Sequence, residues 1–284
     1  RFQRDRDRVL YSSAFQRLAG ITQIARAGEE TVFHTRQQHT LKVAQIGRRL
    51  AEYCISLDDE QNLFPGLKEE VNPDVVEAAC MIHDLGHPPF GHVGEEELNE
   101  KVTPNRHDGF EGNAQSFRII TKLAVHKESD DFPGIDLTRA TLAACLKYPW
   151  YRQKGMKNRG DQGAVDADKK WSAYESEADD FKFAREFCEK DRMTIEAELM
   201  EWADDVAYSV HDLEDFHRCS AIPWRELFES AEKKTTLLSH VKAPAGTDVG
   251  QAYEALKSAI WDVFGEILSK RYEGTRYQRW AMRN

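Results

Sequence analysis

Apolar residues recur at helical spacing along much of this chain. After His39 they lie three or four positions apart, at Val43, Ile46, Leu50 and then Tyr53 or Cys54. This period predicts an amphipathic helix that buries one face. His39 lies on the same inward stripe at the start of the predicted helix, so its imidazole is expected to face the interior.

A second buried helix is predicted to follow Asn72-Pro73-Asp74, with Asp74 as its N-cap. The next residues, VVEAACMIHDL, are apolar on almost every side, and Gly86 is expected to end the helix. His83 and Asp84 would therefore lie at the C-terminal end of a helix, close to the core. Further helices are predicted over residues 110–124, 137–146 and 175–189.

The segment 194–218 predicts a long helix with polar chemistry on one face. Its apolar stripe runs through Leu199, Trp202 or Ala203, Val206, Val210 and Leu213. Asp204, Tyr208 and Asp212 are spaced by four, so they line one neighbouring face. Two carboxylates and a phenol on a largely apolar helix are costly to bury without a partner. A metal ion with a polar ligand would be such a partner, and a solvated acidic face is the alternative interpretation.

Strand patterns are scarce in this sequence. Residues 31–33 suit a short strand or a hairpin tip, and residues 152–168 and 242–250 have the composition of linkers. We therefore predict the all-α fold class. Residues 1–220 are expected to form one domain, and residues 221–284 a helical extension packed on the same domain.

Composition narrows the class of protein. The 284 residues are 40% apolar, enough for a sizeable core, and no run approaches the ~20 apolar residues of a membrane helix. Five scattered cysteines without a Cys-x-x-Cys pair argue against a zinc ribbon or a disulfide framework, so a reducing cytoplasm is the simplest compartment. The N-terminus is no signal peptide and lacks a Met, which is compatible with a trimmed part of a longer protein.

The net charge restricts how an anionic ligand could be held. A formal charge of −10 gives no general attraction to nucleic acid, so such a ligand needs a local basic patch and a metal ion. Residues 147–159, KYPWYRQKGMKNR, hold five Lys or Arg residues, three aromatic residues and no acid. This segment is either a solvated surface loop or a phosphate-facing loop whose rings stack on a base.

Residues 83–93, HDLGHPPFGHV, carry three imidazoles and a carboxylate but no cysteine. The adjacent His83 and Asp84 suit a divalent ion that keeps open positions for oxygen ligands. His92 is too far along the chain to share a helical turn with Asp84. The Gly-His-Pro-Pro turn lets the chain reverse and return His92 toward the metal. We interpret the stretch as a catalytic metal site with a titratable group beside it.

The order His39, His83-Asp84 and Asp204 within Asp-Asp-x-Ala-Tyr resembles the His…His-Asp…Asp pattern of the HD-domain superfamily. Further blocks between residues 4 and 216 narrow the resemblance to bacterial deoxyguanosine triphosphatase-like dNTP triphosphohydrolases. These blocks are RDRDR at 4–8, SSAFQRL at 12–18, Thr22-Gln23, TRQQHT at 35–40, HDLGHPPFGH at 83–92, FEGNAQ at 110–115 and KYPW at 147–150. A lone His-Asp doublet is weak evidence, whereas blocks in the family's order are specific.

The resemblance implies a role for each matching residue. His92 and Glu95 fall on the catalytic His and its acidic partner. One Mn²⁺, Mg²⁺ or Fe²⁺ per site would be held by His39, His83, Asp84 and Asp204. Asp205 is adjacent to Asp204, but the family places a sugar-contacting Tyr four residues after its ligand Asp, which favours Asp204. The implied substrate contacts are Gln23, Arg36, Lys147, Tyr148, Lys170 or its neighbour Lys169, Tyr208 and Asp212.

The family hydrolyses a dNTP to a deoxynucleoside and inorganic triphosphate, so we predict a metal-dependent dNTP triphosphohydrolase with dGTP as its substrate. The resemblance also implies an HD-domain helical architecture and a homo-oligomer, either hexamer or tetramer. A nucleotide or single-stranded DNA effector stays open, and no membrane partner is predicted. Family members continue beyond a segment like 221–284, so part of the base pocket is expected to be missing here.

Two alternative functions stay open at this point. The first is an HD phosphohydrolase that acts on nucleoside monophosphates or signalling nucleotides. The second is a regulator that binds nucleotides or single-stranded DNA without turnover. His92 and Glu95 argue against the second, because a pure binding site needs no general acid.

Overall fold

The computed structural model describes residues 1–21, 35–61, 65–103, 108–125, 134–153, 157–160, 163–218, 230, 236 and 248–268. The strand predicted at 31–33 and most of the linker predicted at 242–250 lie outside these residues. Within the described ranges the regular secondary structure is almost entirely helical, which confirms the predicted all-α fold class.

The described helices follow one another along the chain. They are α1 Phe2–Leu10, α2 Ser13–Arg17, α3 Arg36–Gln61, α4 Leu67–Glu70, α5 Pro73–Ile82, α6 Gly91–Val102, α7 Gly112–Arg118, α8 Arg139–Ala144, α9 Ala178–Arg185, α10 Ile195–Arg218 and α11 Val249–Leu268. Short 3₁₀ helices cover Leu18–Gly20 and Glu175–Glu177, and a π-helix covers Ile119–Leu123. Two short strands, β1 Lys157–Gly160 and β2 Gly163–Asp166, pair antiparallel.

The core is built on the packing of α3 against α5. α5 is buried along nearly its whole length, as its continuous apolar run predicts. Gly47 of α3 lets the two helices approach closely, because a Cβ at that position would lie 2.5 Å from Cys80 Sγ. Since α3 carries His39 and α5 ends just before His83, this packing brings two of the predicted metal ligands together.

The N-terminus of α5 has a different cap from the predicted one. Asn72 is the N-cap, and its side-chain oxygen accepts a 2.9 Å hydrogen bond from the backbone N–H of Asp74. Pro73 takes the first helical position, where its missing N–H costs nothing. The prediction of Asp74 as the cap is therefore wrong. The helix ends at Ile82, with the His-Asp pair directly after it.

Several predicted helices are shorter than their apolar patterns indicate. The segment 110–124 becomes helical at Gly112 and changes to a π-helix at Ile119, and the segment 175–189 is helical only as far as Arg185. The region predicted to be a linker contains the β1–β2 hairpin, with Lys157 opposite Asp166 in its register. The linker prediction is therefore wrong for these strands.

The buried face of α10 also differs from the predicted stripe. Trp202 and Val206, which the spacing places on that stripe, are 65% and 40% exposed. Ala203, the alternative to Trp202 on the predicted stripe, is buried, and so are Ala197, Met200 and Ala207. A Cβ at Gly47 would lie only 3.4 Å from the Cβ of Ala203, so small residues let α10 approach α3. Because Ala203 and Ala207 face the core, the neighbouring side chain of Asp204 points toward His39.

The chain divides into two compact units, Arg1–Ser209 and Val210–Asn284, with the boundary inside α10. The domain boundary predicted at residue 220 stays a prediction. None of the helices in the described ranges carries an apolar stretch long enough to cross a lipid bilayer.

A substitution at Gly86 tests the close contact between the turn that follows α5 and the backbone of α7. A Cβ there would lie 2.2 Å from the Gly112 carbonyl oxygen and 2.3 Å from the Ser116 backbone nitrogen. Because backbone atoms must move to relieve this overlap, we predict that Gly86→Ala lowers the free energy of unfolding by about 1–3 kcal/mol or more. Urea or thermal melting measures the change.

The matched control is Gly20→Ala, where an added Cβ would meet no atom within 4 Å. This variant should change the free energy of unfolding by no more than about 0.5 kcal/mol. Equal stability of the two variants would contradict the close approach at Gly86.

Candidate active site

A cavity of about 300 Å³ lies in the first unit, between α3, α6, α7, α10 and the segments that connect them. Most of its wall consists of charged or titratable side chains. The lining residues are Arg36, His39, His83, Asp84, His87, His92, Glu95, Gly112, Asn113, Lys147, Tyr148, Lys170, Met200, Glu201, Asp204 and Tyr208. The four predicted metal ligands and both predicted catalytic residues are among them.

Three possible metal donors from three different helical segments converge in this cavity. His39 lies in the first turn of α3, His83 directly after α5, and Asp204 within α10. One donor atom of each lies within 4.8 Å of the other two. Asp204 Oδ1 is 3.0 Å from His39 Nε2 and 3.5 Å from His83 Nε2. Donors at ~2.0–2.1 Å from an octahedral ion are ~3 Å apart, so this spacing fits a divalent cation.

The hydrogen bonding of His83 reserves one ring nitrogen for a ligand. Nδ1 is 2.6 Å from the Cys80 carbonyl oxygen, which can only accept, so Nδ1 donates. Nε2 is buried and has no hydrogen-bond partner among the described residues. A buried nitrogen without a partner is costly, and a backbone hydrogen bond to the other nitrogen is the usual way to orient a metal-binding His. The residues present therefore fit a metal ion.

The electrostatics of the same group favour a cation. Burial lowers the pKa of His83, but the charges of Asp84 and Asp204 outweigh that effect and raise it to about 9. Burial likewise raises the pKa of Asp204, yet the neighbouring His83 and His39 hold it well below its usual range. The buried carboxylate of Asp84 and the half-buried carboxylate of Asp204 therefore require positive charge close by, and a divalent ion would supply it.

Asp84 reaches this region but is engaged by Arg36. Arg36 Nη1 donates a 2.6 Å hydrogen bond to Asp84 Oδ2, and its Nη2 lies 3.1 Å from His87 Nε2. Asp84 Oδ2 is also 3.6 Å from His83 Nε2. The group of three mutually close donors does not include Asp84. Its role as a fourth ligand stays a prediction.

The chain reverses between the metal donors and His92. Phe90 and Gly91 both have left-handed backbone angles, with φ of 70° and 62°. Such an angle is uncommon for a bulky residue such as Phe90. The reversal starts α6 at Gly91 and brings the His92 ring to 5.3 Å, between centroids, from the ring of His87. The titratable group is thus returned to the cavity that holds the donors.

His92 and Glu95 lie on the same face of α6, three residues apart. His92 Nδ1 is 2.9 Å from Glu95 Oε2, and the Gly112 backbone N–H donates a 2.9 Å hydrogen bond to Oε1. Burial raises the pKa of Glu95, but the hydrogen bond from His92 and the charge of Lys170 outweigh it and lower it to about 2. Glu95 is therefore a fixed anion that orients the largely exposed His92 ring.

Two lysines of the cavity lie against acidic side chains. Lys147 Nζ is 3.6 Å from Glu201 Oε1 and 3.9 Å from Asp204 Oδ2. Lys170 Nζ is 3.0 Å from Glu111 Oε1. Lys170, and not its neighbour Lys169, is among the lining residues. These ammonium groups and Arg36 give the cavity cationic positions beside its acidic donors.

Tyr148 and Tyr208 supply the aromatic surface of the cavity. Tyr208 follows Asp204 by one turn of α10 and is half-exposed. Of the remaining predicted substrate contacts, Gln23 lies outside the described residues. Asp212 belongs to the second unit and is not among the lining residues. The proposed contacts of Gln23 and Asp212 with the sugar stay predictions.

Sequence reasoning assigned no role to Asn113, Glu201 or Glu111, although all three bear on this cavity. Asn113 and Glu201 line it, and Glu111 holds Lys170. Signals for them were present: Glu111 and Asn113 lie within the FEGNAQ block, and Glu201 precedes Asp204 by three residues on the same helical face.

A family model described as HD domain matches residues 36–209, which is more than half of the chain. The chain therefore belongs to the HD-domain family. This range contains His39, His83, Asp84 and Asp204, the residues of the predicted pattern.

Among its relatives are three proteins that each bear the name Deoxyguanosinetriphosphate triphosphohydrolase-like protein. The one from Streptomyces coelicolor is 41% identical over 263 residues, covering 90% of this chain and 56% of its own length. One from Corynebacterium glutamicum is 42% identical over 217 residues, which cover 75% of this chain and 45% of the relative. The one from Histophilus somni is 34% identical over 279 aligned residues, which cover 82% of this chain and 61% of the relative.

These relatives confirm the predicted resemblance to the deoxyguanosine triphosphatase-like group of HD-domain proteins. The chain spans about half the length of the curated relatives it matches.

The donor group makes a prediction about metal content. His83→Ala removes the buried Nε2 that faces the carboxylates, so we expect affinity for Mn²⁺ to fall by more than the ~10–100-fold that loss of an outer-shell partner costs. Titration calorimetry with Mn²⁺ measures the loss. His92→Ala is the control, because it removes an imidazole outside the donor group. Unchanged Mn²⁺ affinity in His83→Ala would count against ligation by this residue.

Proposed function

We propose that the protein hydrolyses deoxynucleoside triphosphates, dGTP foremost, to a deoxynucleoside and inorganic triphosphate. The observation that carries the proposal is that the donor group of His39, His83 and Asp204 shares its cavity with the His92–Glu95 pair. A site for binding alone would not need a buried carboxylate that orients an imidazole. The names of the relatives support a triphosphohydrolase and leave its base preference open.

One divalent ion per site would be held by His39, His83, Asp84 and Asp204. Two imidazoles and two carboxylates leave about two positions of a six-coordinate ion for a phosphate oxygen and a water. Imidazole nitrogens favour Mn²⁺ or Fe²⁺ over Mg²⁺, which is more abundant in cells. When bound, the ion supplies charge that polarises a phosphoryl group and lowers the pKa of a coordinated water.

His92 is the general acid of the proposed reaction. A water oxygen forms a bond to the α-phosphorus and releases a proton to the solvent, and the bond between that phosphorus and the 5′ oxygen breaks. The 5′ oxygen is a poor leaving group unless it receives a proton. His92 can donate that proton from Nε2, because its Nδ1 faces Glu95. Glu95 stabilises the imidazolium before the transfer, and the products are a nucleoside 5′-hydroxyl and triphosphate.

The cationic side chains of the cavity would neutralise the triphosphate. Arg36 can bind two phosphate oxygens through its planar guanidinium group. Lys147 and Lys170 stay charged, because burial lowers each pKa but neighbouring groups, including Asp204 and Glu111 respectively, raise it by more. Tyr148 lies on the same wall and would contact the substrate beside Lys147.

Tyr208 would pack against the sugar of the nucleotide. Deoxyribose can approach an aromatic ring closely at C2′, whereas the 2′-hydroxyl of a ribose would collide with it. Gln23 and Asp212 are proposed sugar-side contacts on the strength of the resemblance alone. The homo-oligomer and a nucleotide or single-stranded DNA effector are proposals with the same basis, and the cytoplasmic location is a proposal that rests on the scattered cysteines.

Product analysis tests the proposed function directly. The protein is incubated with each of the common dNTPs and Mn²⁺ or Mg²⁺, and the products are separated by ion-exchange chromatography. We expect deoxynucleoside and tripolyphosphate in equal amounts. Orthophosphate released from a dNTP in place of triphosphate would support the phosphohydrolase alternative. Binding of nucleotide without a metal-dependent product would support the regulator, and either result would overturn the proposal.

The general acid can be tested separately from metal binding. His92→Ala should lower kcat by ~10²–10⁴-fold while leaving Mn²⁺ affinity close to that of the parent protein. Glu95→Gln should lower kcat in the same direction, because the imidazolium loses its counter-charge. Glu96→Gln is the control, since Glu96 is an exposed neighbour that does not line the cavity. A kcat unaffected by His92→Ala would remove His92 from the mechanism.

The role of Tyr208 predicts discrimination between sugars. The parent protein should hydrolyse dGTP with a kcat/KM about 10–100-fold above that for GTP, and Tyr208→Ala should narrow this ratio. Steady-state kinetics with both nucleotides measure it. Comparable hydrolysis of GTP and dGTP by the parent protein would refute the proposed steric exclusion.

A further inference from the structure

Lys170 lies between two carboxylates at the wall of the cavity. Its Nζ is 3.0 Å from Glu111 Oε1 and 3.4 Å from each oxygen of Glu95. Glu111 is therefore the nearer of its two acidic partners. The position of this cation depends on both acids, and one of them is also the partner of His92.

Glu111 has further contacts that hold its carboxylate in place. It is the N-cap of α7, and its Oε2 accepts hydrogen bonds from the backbone N–H groups of Asn113 and Ala114 at 2.6 and 3.1 Å. Asn113 Nδ2 donates to Oε1 at 2.9 Å. The Glu111 side chain is only 1% exposed. Oε2 thus caps the N-terminus of α7, while Oε1 is held in a fixed position where it accepts a hydrogen bond from Lys170.

Charge balance explains why a second acid is needed. Lys170 faces Glu95 and Glu111, so the three groups together carry one net negative charge while all are ionised. Without Glu111 the ammonium would keep Glu95 as its remaining close counter-charge and would be drawn onto it. Glu95 would then be neutralised by the lysine and would stabilise a protonated His92 less well.

We propose that Glu111 is a positioning residue that holds the Lys170 ammonium apart from Glu95, toward the region where the triphosphate of the substrate binds. The identity of that anion rests on the proposed function. Glu111 itself touches no substrate, and its effect reaches the reaction through Lys170. The acid thereby lets one cavity keep a cation for phosphate and an anion for His92 within 3.4 Å of each other.

Glu111→Gln separates the anchor from the helix cap. A glutamine oxygen can still accept the backbone hydrogen bonds of α7, but the charge that holds Lys170 is lost. We expect the affinity for tripolyphosphate, measured by titration calorimetry, to fall on the order of tenfold. The kcat/KM for dGTP should fall by at least as much, while the thermal midpoint stays close to that of the parent protein. Glu96→Gln again serves as the matched control.

A double-mutant cycle with Lys170→Met tests whether Glu111 acts through the lysine. In the Lys170→Met background, Glu111→Gln should change tripolyphosphate affinity and kcat/KM by less than about twofold. Losses that simply add in the double variant would overturn the inference, because they would mean that Glu111 acts independently of Lys170. A large fall in the thermal midpoint with additive losses would assign Glu111 to the helix cap alone.

The outcomes distinguish this inference from the proposed function. If the parent protein releases no triphosphate from any dNTP, the proposed function fails whatever the variants show. If it does release triphosphate and Glu111→Gln leaves tripolyphosphate affinity unchanged, the inference fails alone. A parent protein that releases triphosphate from a dNTP but does not bind tripolyphosphate would overturn the inference and leave the proposed function standing.

Discussion

The buried carboxylate of Asp84 and the half-buried carboxylate of Asp204 must be compensated by positive charge, and the arrangement of the first unit meets that requirement. An uncompensated buried charge costs several kcal/mol, so imidazoles, a guanidinium group and an ammonium group gather around them. The acidic pair raises the pKa of His83 to about 9 against the effect of burial. A divalent ion would also supply this positive charge, and it would in addition bind the buried His83 Nε2, which has no hydrogen-bond partner among the described residues.

Helix packing links this cationic centre to the acid–base pair. Gly86 ends the His-Asp turn and lies against the backbone of α7 at Gly112 and Ser116. The N–H of the same Gly112 holds Glu95, and Glu95 orients His92. The contact that closes the end of α5 therefore also fixes the partner of the proposed general acid. Glu111, one residue earlier, extends the arrangement to Lys170, so that α7 supports both the acid and a phosphate-binding cation.

The helical pattern of the sequence was sufficient for much of the fold. The periods after His39 and over 194–218 correspond to α3 and α10, and the apolar run before His83 corresponds to α5. The errors arose where small or polar groups decide the structure. Alanines such as Ala207 carry little hydrophobic signal in the sequence. They are nevertheless buried, because a small side chain lets α10 lie closer to α3 than a large residue such as Trp202 would allow. Asn72 competed with Asp74 for the same cap, and the hairpin strands KNRG and GAVD have no apolar alternation to reveal them.

The sequence by itself determined which residue types could bind a metal and transfer a proton, because adjacent His and Asp, a reversing turn and an ordered set of family blocks are local features. Tertiary structure alone decided how side chains from 48 to 165 residues apart share one cavity. It placed Asp204 within hydrogen-bonding distance of His39, paired Asp84 with Arg36 and positioned Lys170 between Glu95 and Glu111. Such partnerships depend on helix rotation and on the depth of packing, and spacing along the chain does not encode either.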